Sequence, residues 1–260
     1  MCCFLIERVR RMLHSLQHLI GFDLQATDEA LGSVDDFFFD DVHWTVRYIV
    51  VDTGHWLSER LVLISPVAVH AIDRENKSLR VTLTAQQVED SPPIDVNKPI
   101  ERHREHKLVS HFAWPAYWAD DLPTGRGFSE AASLGSTQPT ETEGAEAVLG
   151  PQHGIDPHLR SVRGVTGYQI HTTDGNVGFI EDILVDVETW KIRYVVVDTR
   201  RFLPGKRVLI AAQWINDVDW SARSIGVDVR EQLVKDAPEY DPDQPVDRAF
   251  EQRLHAHYGR

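Results

Sequence analysis

Hydrophobic positions along this chain follow two periods, and both are written twice. From Gly21 onward the apolar residues take strand spacing. Val34 to Asp40, Val46 to Asp52, Leu61 to Ile64 and Ser78 to Leu83 read as strands, rich in Val, Ile and Phe and bounded by turn residues. Thr84 to Val88 then reads as a short helix that stops before Pro92. A second helix carries Arg102, Glu105, Leu108 and His111, and their spacing of three places them on one slowly drifting stripe. The whole series returns 146 positions later (178 − 32, from Gly32 and Gly178). Ile180 to Asp186, Ile192 to Asp198, Val208 to Ile210 and Ser224 to Val229 are the matching strands. Arg230 to Val234, and then Arg248, Glu251, Leu254 and His257, are the matching helices. About thirty identical pairs fall in the 94 aligned positions (114 − 21 + 1). A residue kept in both copies is expected to serve the fold, and a residue in one copy cannot be essential to it.

The repeat sets the organisation. Residues 1–18 form an N-terminal helix or a lead-in ahead of a true start at Met12. Residues 19–114 are the first repeat with its C-terminal helix, 115–154 a flexible linker, and 155–260 the second repeat. Phe4, Leu5, Val9, Met12, Leu13, Leu16 and Ile20 recur at spacings of three and four, which predicts a helix over residues 4–20. It is expected to pack on the first repeat, with a membrane-surface position as the alternative because of Arg8, Arg10 and Arg11. The linker is rich in Gly, Ser, Thr, Pro and Glu, and few of its residues can be buried, so it is expected to be disordered. Many short strands with no long helix between them predict a mainly β protein made of two small, closed or nearly closed β-barrels, each followed by short helices. Homologous apolar faces predict that the two barrels dock on each other as a pseudo-symmetric pair.

Charge and cysteine content narrow the setting. The net charge of −13 disfavours nucleic acid and anionic membrane surfaces as partners. The two cysteines, Cys2 and Cys3, cannot make a disulfide framework, which fits a reducing compartment. No apolar run approaches the ~20 residues of a membrane span, so integral insertion is not expected and a cytoplasmic location is.

Three segments resemble the PRC-barrel family. They are Gly32 with Asp36-Phe37-Phe38-Phe39-Asp40-Asp41, then Trp44 to Thr53, then Leu61-Val62-Leu63-Ile64-Ser65-Pro66. The pattern recurs from Gly178 through Glu181-Asp182-Ile183-Leu184-Val185-Asp186 and the strands after it. This family includes the cytoplasmic part of the photosynthetic reaction-centre H subunit and the C-terminal half of the ribosome-maturation factor RimM. The resemblance implies a small β-barrel that serves as an adaptor or assembly module. It brings no common catalytic residues and no cofactor. The chain departs from the H subunit in having no transmembrane helix before the barrel, and from RimM in having PRC-like sequence in both halves.

The candidate chemistry is thin. His103, His106 and His111 are close enough on a helix to suggest zinc or nickel. The second copy, however, has Ala249 and Gln252 at the first two positions, so a packed or hydrogen-bonded shared histidine is the expectation. The acidic pairs Asp35-Asp36, Asp40-Asp41 and Glu181-Asp182 border a hairpin whose other strand carries Arg47 or Arg193. Strand-end solvation and a cross-strand ion pair are expected there, rather than acid–base catalysis. Asp52-Thr53 and Asp198-Thr199 are expected to bond the next loop. The repeat-matched set of Gly32, Gly178, Asp36, Asp182, Arg47, Arg193, Asp52 and Asp198 is therefore read as structural. Trp56, Phe202, Trp114, Tyr117 and Trp118 are the interface candidates, because tryptophan and tyrosine anchor protein contacts. The expected function is a non-enzymatic adaptor for an unknown protein partner. The alternative is a peripheral membrane accessory of a photosynthetic or electron-transfer complex.

Overall fold

The computed structural model describes residues 13–57, 60–95, 100–119, 159–199 and 206–259. Residues 1–12, most of the linker and Phe202 lie outside that set. The first half runs β1 (Leu13–Ser15), α1 (Leu16–Leu19), β2 (Asp23–Gln25), β3 (Ala30–Asp40), β4 (Thr45–Asp52), β5 (Leu61–Ile64), β6 (Val69–Asp73), β7 (Ser78–Val81), α2 (Ala85–Glu89) and α3 (Arg102–Phe112). The second half repeats this order. It runs β8 (Leu159–Ser161), α4 (Val162–Val165), β9 (Gln169–His171), β10 (Asn176–Asp186), β11 (Lys191–Asp198), β12 (Arg207–Ala211), β13 (Ile215–Asp219), β14 (Ser224–Val227), α5 (Glu231–Lys235) and α6 (Arg248–Tyr258).

The protein is mainly β. In each half the strands make an arc, β6-β7-β2-β3-β4-β5 or β13-β14-β9-β10-β11-β12. The β2–β7 and β9–β14 pairs are parallel and the rest antiparallel. The two ends of an arc, β5 and β6, are joined by a 3-10 turn over Pro66–Ala68 that is capped by the Ser65 hydroxyl. The arcs are not separate bodies. Thr45 pairs with Lys191, Val46 N–H donates to the Trp190 carbonyl at 2.8 Å, and Ile192 N–H donates to the Trp44 carbonyl at 2.7 Å. These reciprocal bonds make one 14-stranded sheet. The larger of two cores runs through both halves and includes Leu16, Phe37, Phe39, Val162, Val185 and Trp190, while a smaller one of Tyr48, Val50, Leu63, Ile94, Ile100 and Leu108 lies within the first half. The Phe37 and Trp190 rings stack across the junction, 6.4 Å apart.

Residues 13–20 depart from the helix that their spacing predicts over 4–20. Leu13–Ser15 is a strand, and the helix is confined to Leu16–Leu19. Ser15 is the cause. Its backbone is extended and its hydroxyl accepts the His18 N–H at 2.8 Å, so the helix begins there as a capped turn. The strand before it finds a ladder in the other half, with Leu13 to Ser15 pairing Asp186 to Leu184. Leu159–Ser161 does the same against Asp40 to Phe38. Each lead-in strand thus crosses to its neighbour.

Gly32 and Gly178 show why some matched residues cannot vary. Their φ angles are +133° and +149°, and an added Cβ would lie 2.0 Å from the Asp52 carbonyl oxygen or 2.1 Å from that of Asp198. Both sites lie at the open end of the β3–β4 or β10–β11 hairpin, against backbone that cannot yield. Gly32→Ala and Gly178→Ala should each destabilise the fold by about 3 kcal/mol. Urea unfolding monitored by tryptophan fluorescence checks this, and a loss well under 1 kcal/mol would contradict the close approach.

Candidate functional site

The matched acids Asp36 and Asp182 are not solvated strand ends, as the sequence suggests. Both are nearly buried and bind the opposite half. Ser161 donates its hydroxyl to Asp36 Oδ2, while Asp36 Oδ1 accepts the Arg163 N–H at 3.1 Å and the Phe37 N–H at 2.7 Å. Ser15 donates to Asp182 Oδ2, while Asp182 Oδ1 accepts the Gln17 N–H at 3.1 Å and the Ile183 N–H at 2.7 Å. Each serine also caps its own short helix. One carboxylate therefore satisfies a helix N-terminus and a serine that belong to the other half, and it does so twice. Around this pair, Arg163 bridges to Asp35 at 2.7 Å and Arg160 to Asp41 at 2.9 Å. The Gln17 amide donates to Thr166 Oγ1 at 2.8 Å. His14, on the crossing strand, is held down to about 4, chiefly by burial and then by the charges of Arg74 and His18, so it is neutral at pH 7.

The remaining matched residues split by copy. Arg47 pairs with Asp40 at 2.8 Å, the expected cross-strand contact. Arg193 instead reaches Glu251 at 3.9 Å, and Asp186 accepts the Glu188 N–H at 2.9 Å, so that cross-strand pair is not repeated. Asp52 accepts the Gly54 N–H at 2.8 Å. Thr53 and Thr199 donate to the carbonyls of Arg60 and Lys206 at 2.6 and 2.7 Å, which pins the loop after the buried strand in both halves.

A groove of about 760 Å³ opens where the first half meets the second. Its walls include Arg47, Val67, His106, Trp114, Tyr117, Trp118 and Trp190. Three of the five interface candidates are here. Trp114 stacks on Phe112 at 4.1 Å. The Tyr117 ring lies under the Arg47 guanidinium at 4.2 Å, and Trp118 lies under Arg102 at 4.4 Å. Trp118 also meets the edge of His106, whose pKa is lowered by burial and by Arg102. Trp56 falls on the 3-10 turn Gly54–Leu57, and its side chain lies outside the described residues, as does all of Phe202.

Behind the groove sits a polar centre that the sequence reading missed. Glu105 is fully buried, and its Oε1 accepts the hydroxyls of Tyr48 at 2.8 Å and Tyr117 at 3.1 Å. Arg102 Nη1 lies 3.1 Å from Oε2. Burial and then the Glu105 charge push the Tyr48 phenol well above its ordinary value. The second half has Tyr194 donating to Glu251 at 2.9 Å. Both pairs, Tyr48 with Tyr194 and Glu105 with Glu251, are legible at the offset of 146.

The histidines do not gather. His103 meets Glu101 at 3.2 Å and His106 meets Trp118. His111 Nε2 donates to the Gln87 carbonyl at 2.9 Å, as His257 does to the Leu233 carbonyl at 2.7 Å. The shared histidine therefore ties each terminal helix to the short helix before it. Among the described residues, no three His, Cys, Asp or Glu side chains are grouped to hold a metal.

With this geometry in place, the sequence model of the PRC-barrel domain matches residues 13–88. The first half of this chain carries a PRC-barrel domain. The match opens on the first residue of β1 and closes inside α2, so the crossing strand and its Ser15 cap belong to the PRC-barrel unit. No curated protein matches the chain. Among the described residues, no helix is long and apolar enough to cross a membrane.

Two predictions follow from these contacts. Burial is the largest influence on Asp36 and Asp182, and it raises both pKa values above 3.8. The native state thus holds the protonated acids more tightly than the unfolded chain does. Stability from this source is complete below 3.8 and is lost as pH climbs through the raised native values. Asp182→Asn should flatten its share of that decline above pH 3.8, and Asp182→Ala should cost about 1–3 kcal/mol by stranding the Gln17 and Ile183 N–H groups. Urea unfolding across that range is the check, and an unchanged slope in Asp182→Asn counts against the contact. Separately, Arg102→Met should take the guanidinium away from the buried Glu105 carboxylate and cost about 3–5 kcal/mol, with Glu105→Gln in the same chain restoring part of it. Thermal unfolding of the single and double variants measures this.

Proposed function

We propose that this protein is a non-enzymatic adaptor of the cytoplasm, built from two PRC-type barrels fused as a permanent pair. The second half has the element order and register of the PRC-barrel domain at 13–88, which supports reading it as a second copy. The PRC-barrel domain itself points to protein interaction or assembly. The matched acids with raised pKa values lie in the contact between the halves, which favours a scaffolding role for them over acid–base chemistry.

The observation that carries the proposal is the groove at the junction. Its aromatic wall of Trp114, Tyr117 and Trp118 is only partly buried, and Val67 opposite is 59% exposed. Aromatic rings paired with arginine, on a scaffold that the interlocked halves hold still, are the composition of an interface anchor.

Crosslinked capture from native cells tests this, with the wild-type chain compared against a Trp118→Ala, Val67→Glu variant. A defined set of proteins should fall about tenfold or more in the variant, while the melting temperature changes little. A captured set that is the same for both chains would sink the adaptor reading.

A further inference from the structure

The two serine–aspartate contacts at the junction are matched residue for residue, yet the ion pairs beside them are not. Ser15 and Ser161, Asp36 and Asp182, and the crossing ladders of Leu13–Ser15 and Leu159–Ser161 all correspond at the offset of 146. These contacts alone would serve as well between two first halves or two second halves, because each donor would find an equivalent carboxylate. The ion pairs break that equivalence. Arg160 Nε donates to Asp41 at 2.9 Å, and Arg163 lies 2.7 Å from Asp35. Both arginines stand in the second lead-in, on β8 and α4, and both acids stand on the first half's hairpin. At the offset of 146 the arginines fall on His14 and Gln17, and the acids on Val187 and Glu181.

Each alternative pairing loses something that the structure supplies. Were a first half to meet the first half of a second copy, Asp35 and Asp41 would face Gln17 and His14 in place of two guanidinium groups. This would happen on both sides of the two-fold axis, and an imidazole of ordinary basicity is mostly uncharged at pH 7. The Gln17 bond to Thr166 would go as well, since Ile20 stands at the matched position. Were two second halves to meet, Arg160 would face Val187. Arg163 would face Glu181, whose carboxylate Arg207 already holds at 2.7 and 2.6 Å. The Arg160–Asp41 pair is the better shielded, with side chains 26% and 8% exposed against 51% and 32% for Arg163 and Asp35, so solvent and salt weaken it less. Trp220 also steadies Arg160, with its ring 4.2 Å from the guanidinium.

We infer that Arg160 and Arg163, with Asp41 and Asp35, are the recognition code of the junction: the docking face of a first half takes a second half as its partner and refuses another first half. The partner of that face is defined by its chemistry, a PRC-type lead-in with arginine on either side of the capping serine. The chain's own second half meets this requirement by tether. The 39 residues between the halves (158 − 120 + 1) hold them at on the order of 1 mM of each other. The second half of another copy meets it in trans once pairing within the chain is spoiled. Like charges set face to face cost more than neutral contacts, so the code works chiefly by exclusion. The inference rests on reading the second half as a copy of the PRC-barrel domain, and not on the adaptor role.

The test uses full 260-residue chains. One variant carries Arg160→Glu and Arg163→Glu, and another carries Asp35→Arg and Asp41→Arg. Each alone sets like charges across its junction and should melt about 5 °C below wild type. Refolded together from urea, the two should exchange halves and form a dimer of one of each, at a yield about tenfold above that of either variant alone. A chain with all four substitutions should be monomeric and regain the wild-type melting temperature. Light scattering and thermal unfolding read these outcomes. A mixture that stays at single-chain mass overturns the inference, as does a four-substitution chain no more stable than its parents. Equal dimer yield in the mixture and in either variant alone also overturns it, since pairing would then ignore charge. None of these failures touches the adaptor reading, because native-cell capture interrogates Trp118 and Val67 in the groove.

Discussion

Two serine–aspartate contacts hold this molecule as one body. Ser15 on Asp182 and Ser161 on Asp36 each join a lead-in strand from one half to the long hairpin of the other. The contact is economical in donors: a single carboxylate accepts the serine hydroxyl, a helix N–H and the N–H of its own neighbour. Because the serine also caps the four-residue helix after it, the helix and the crossing strand form together. Neither could stand alone, since an isolated turn of helix and a three-residue strand are both unstable in water. Docking across the junction supplies what local sequence does not.

The clamp also explains why the larger core is continuous. With the lead-in strands exchanged, Leu16, Leu19, Val162 and Val165 are carried to the interface, and Phe37 meets Trp190 across it. Small domains of this length bury too little surface to be robust alone. Sharing one core between two copies answers that shortage. It also fixes the position of the groove, which sits beside the Thr45–Lys191 pair.

On this symmetric frame the copies have diverged in the polar residues around their terminal helices. Glu105 is sealed by Tyr117 and Arg102, whereas Glu251 remains partly open beside Arg193 and His255. Tyr48 and Tyr194 both orient the glutamate, and the difference lies in the second layer. Such a change alters what each surface can bind without disturbing the sheet, because Arg102, Glu105, Tyr117, Glu251 and His255 lie outside the paired strands and the Gly32 and Gly178 contacts.

Much of the architecture was legible in the chain. The buried strands β3, β4, β10 and β11 follow from runs of Val, Ile and Phe, and their pairing follows from short turns ending at Trp44 and Trp190, which both take positive φ. The terminal helices follow from their spacing of three. The strands Val69–Asp73 and Ile215–Asp219 were not legible, because half-exposed edge strands lack a buried run to mark them. The partner of Leu13–Ser15 was hidden for a different reason. Its residues read locally as helix, and the ladder that overrides this lies more than 160 positions away. The sequence by itself determined which residues repeat and so which ones the fold needs. Only the tertiary structure decided what those residues do, because a carboxylate's role depends on which donors surround it. Asp36 and Asp182 read as solvated acids until the donors of the opposite half are brought beside them.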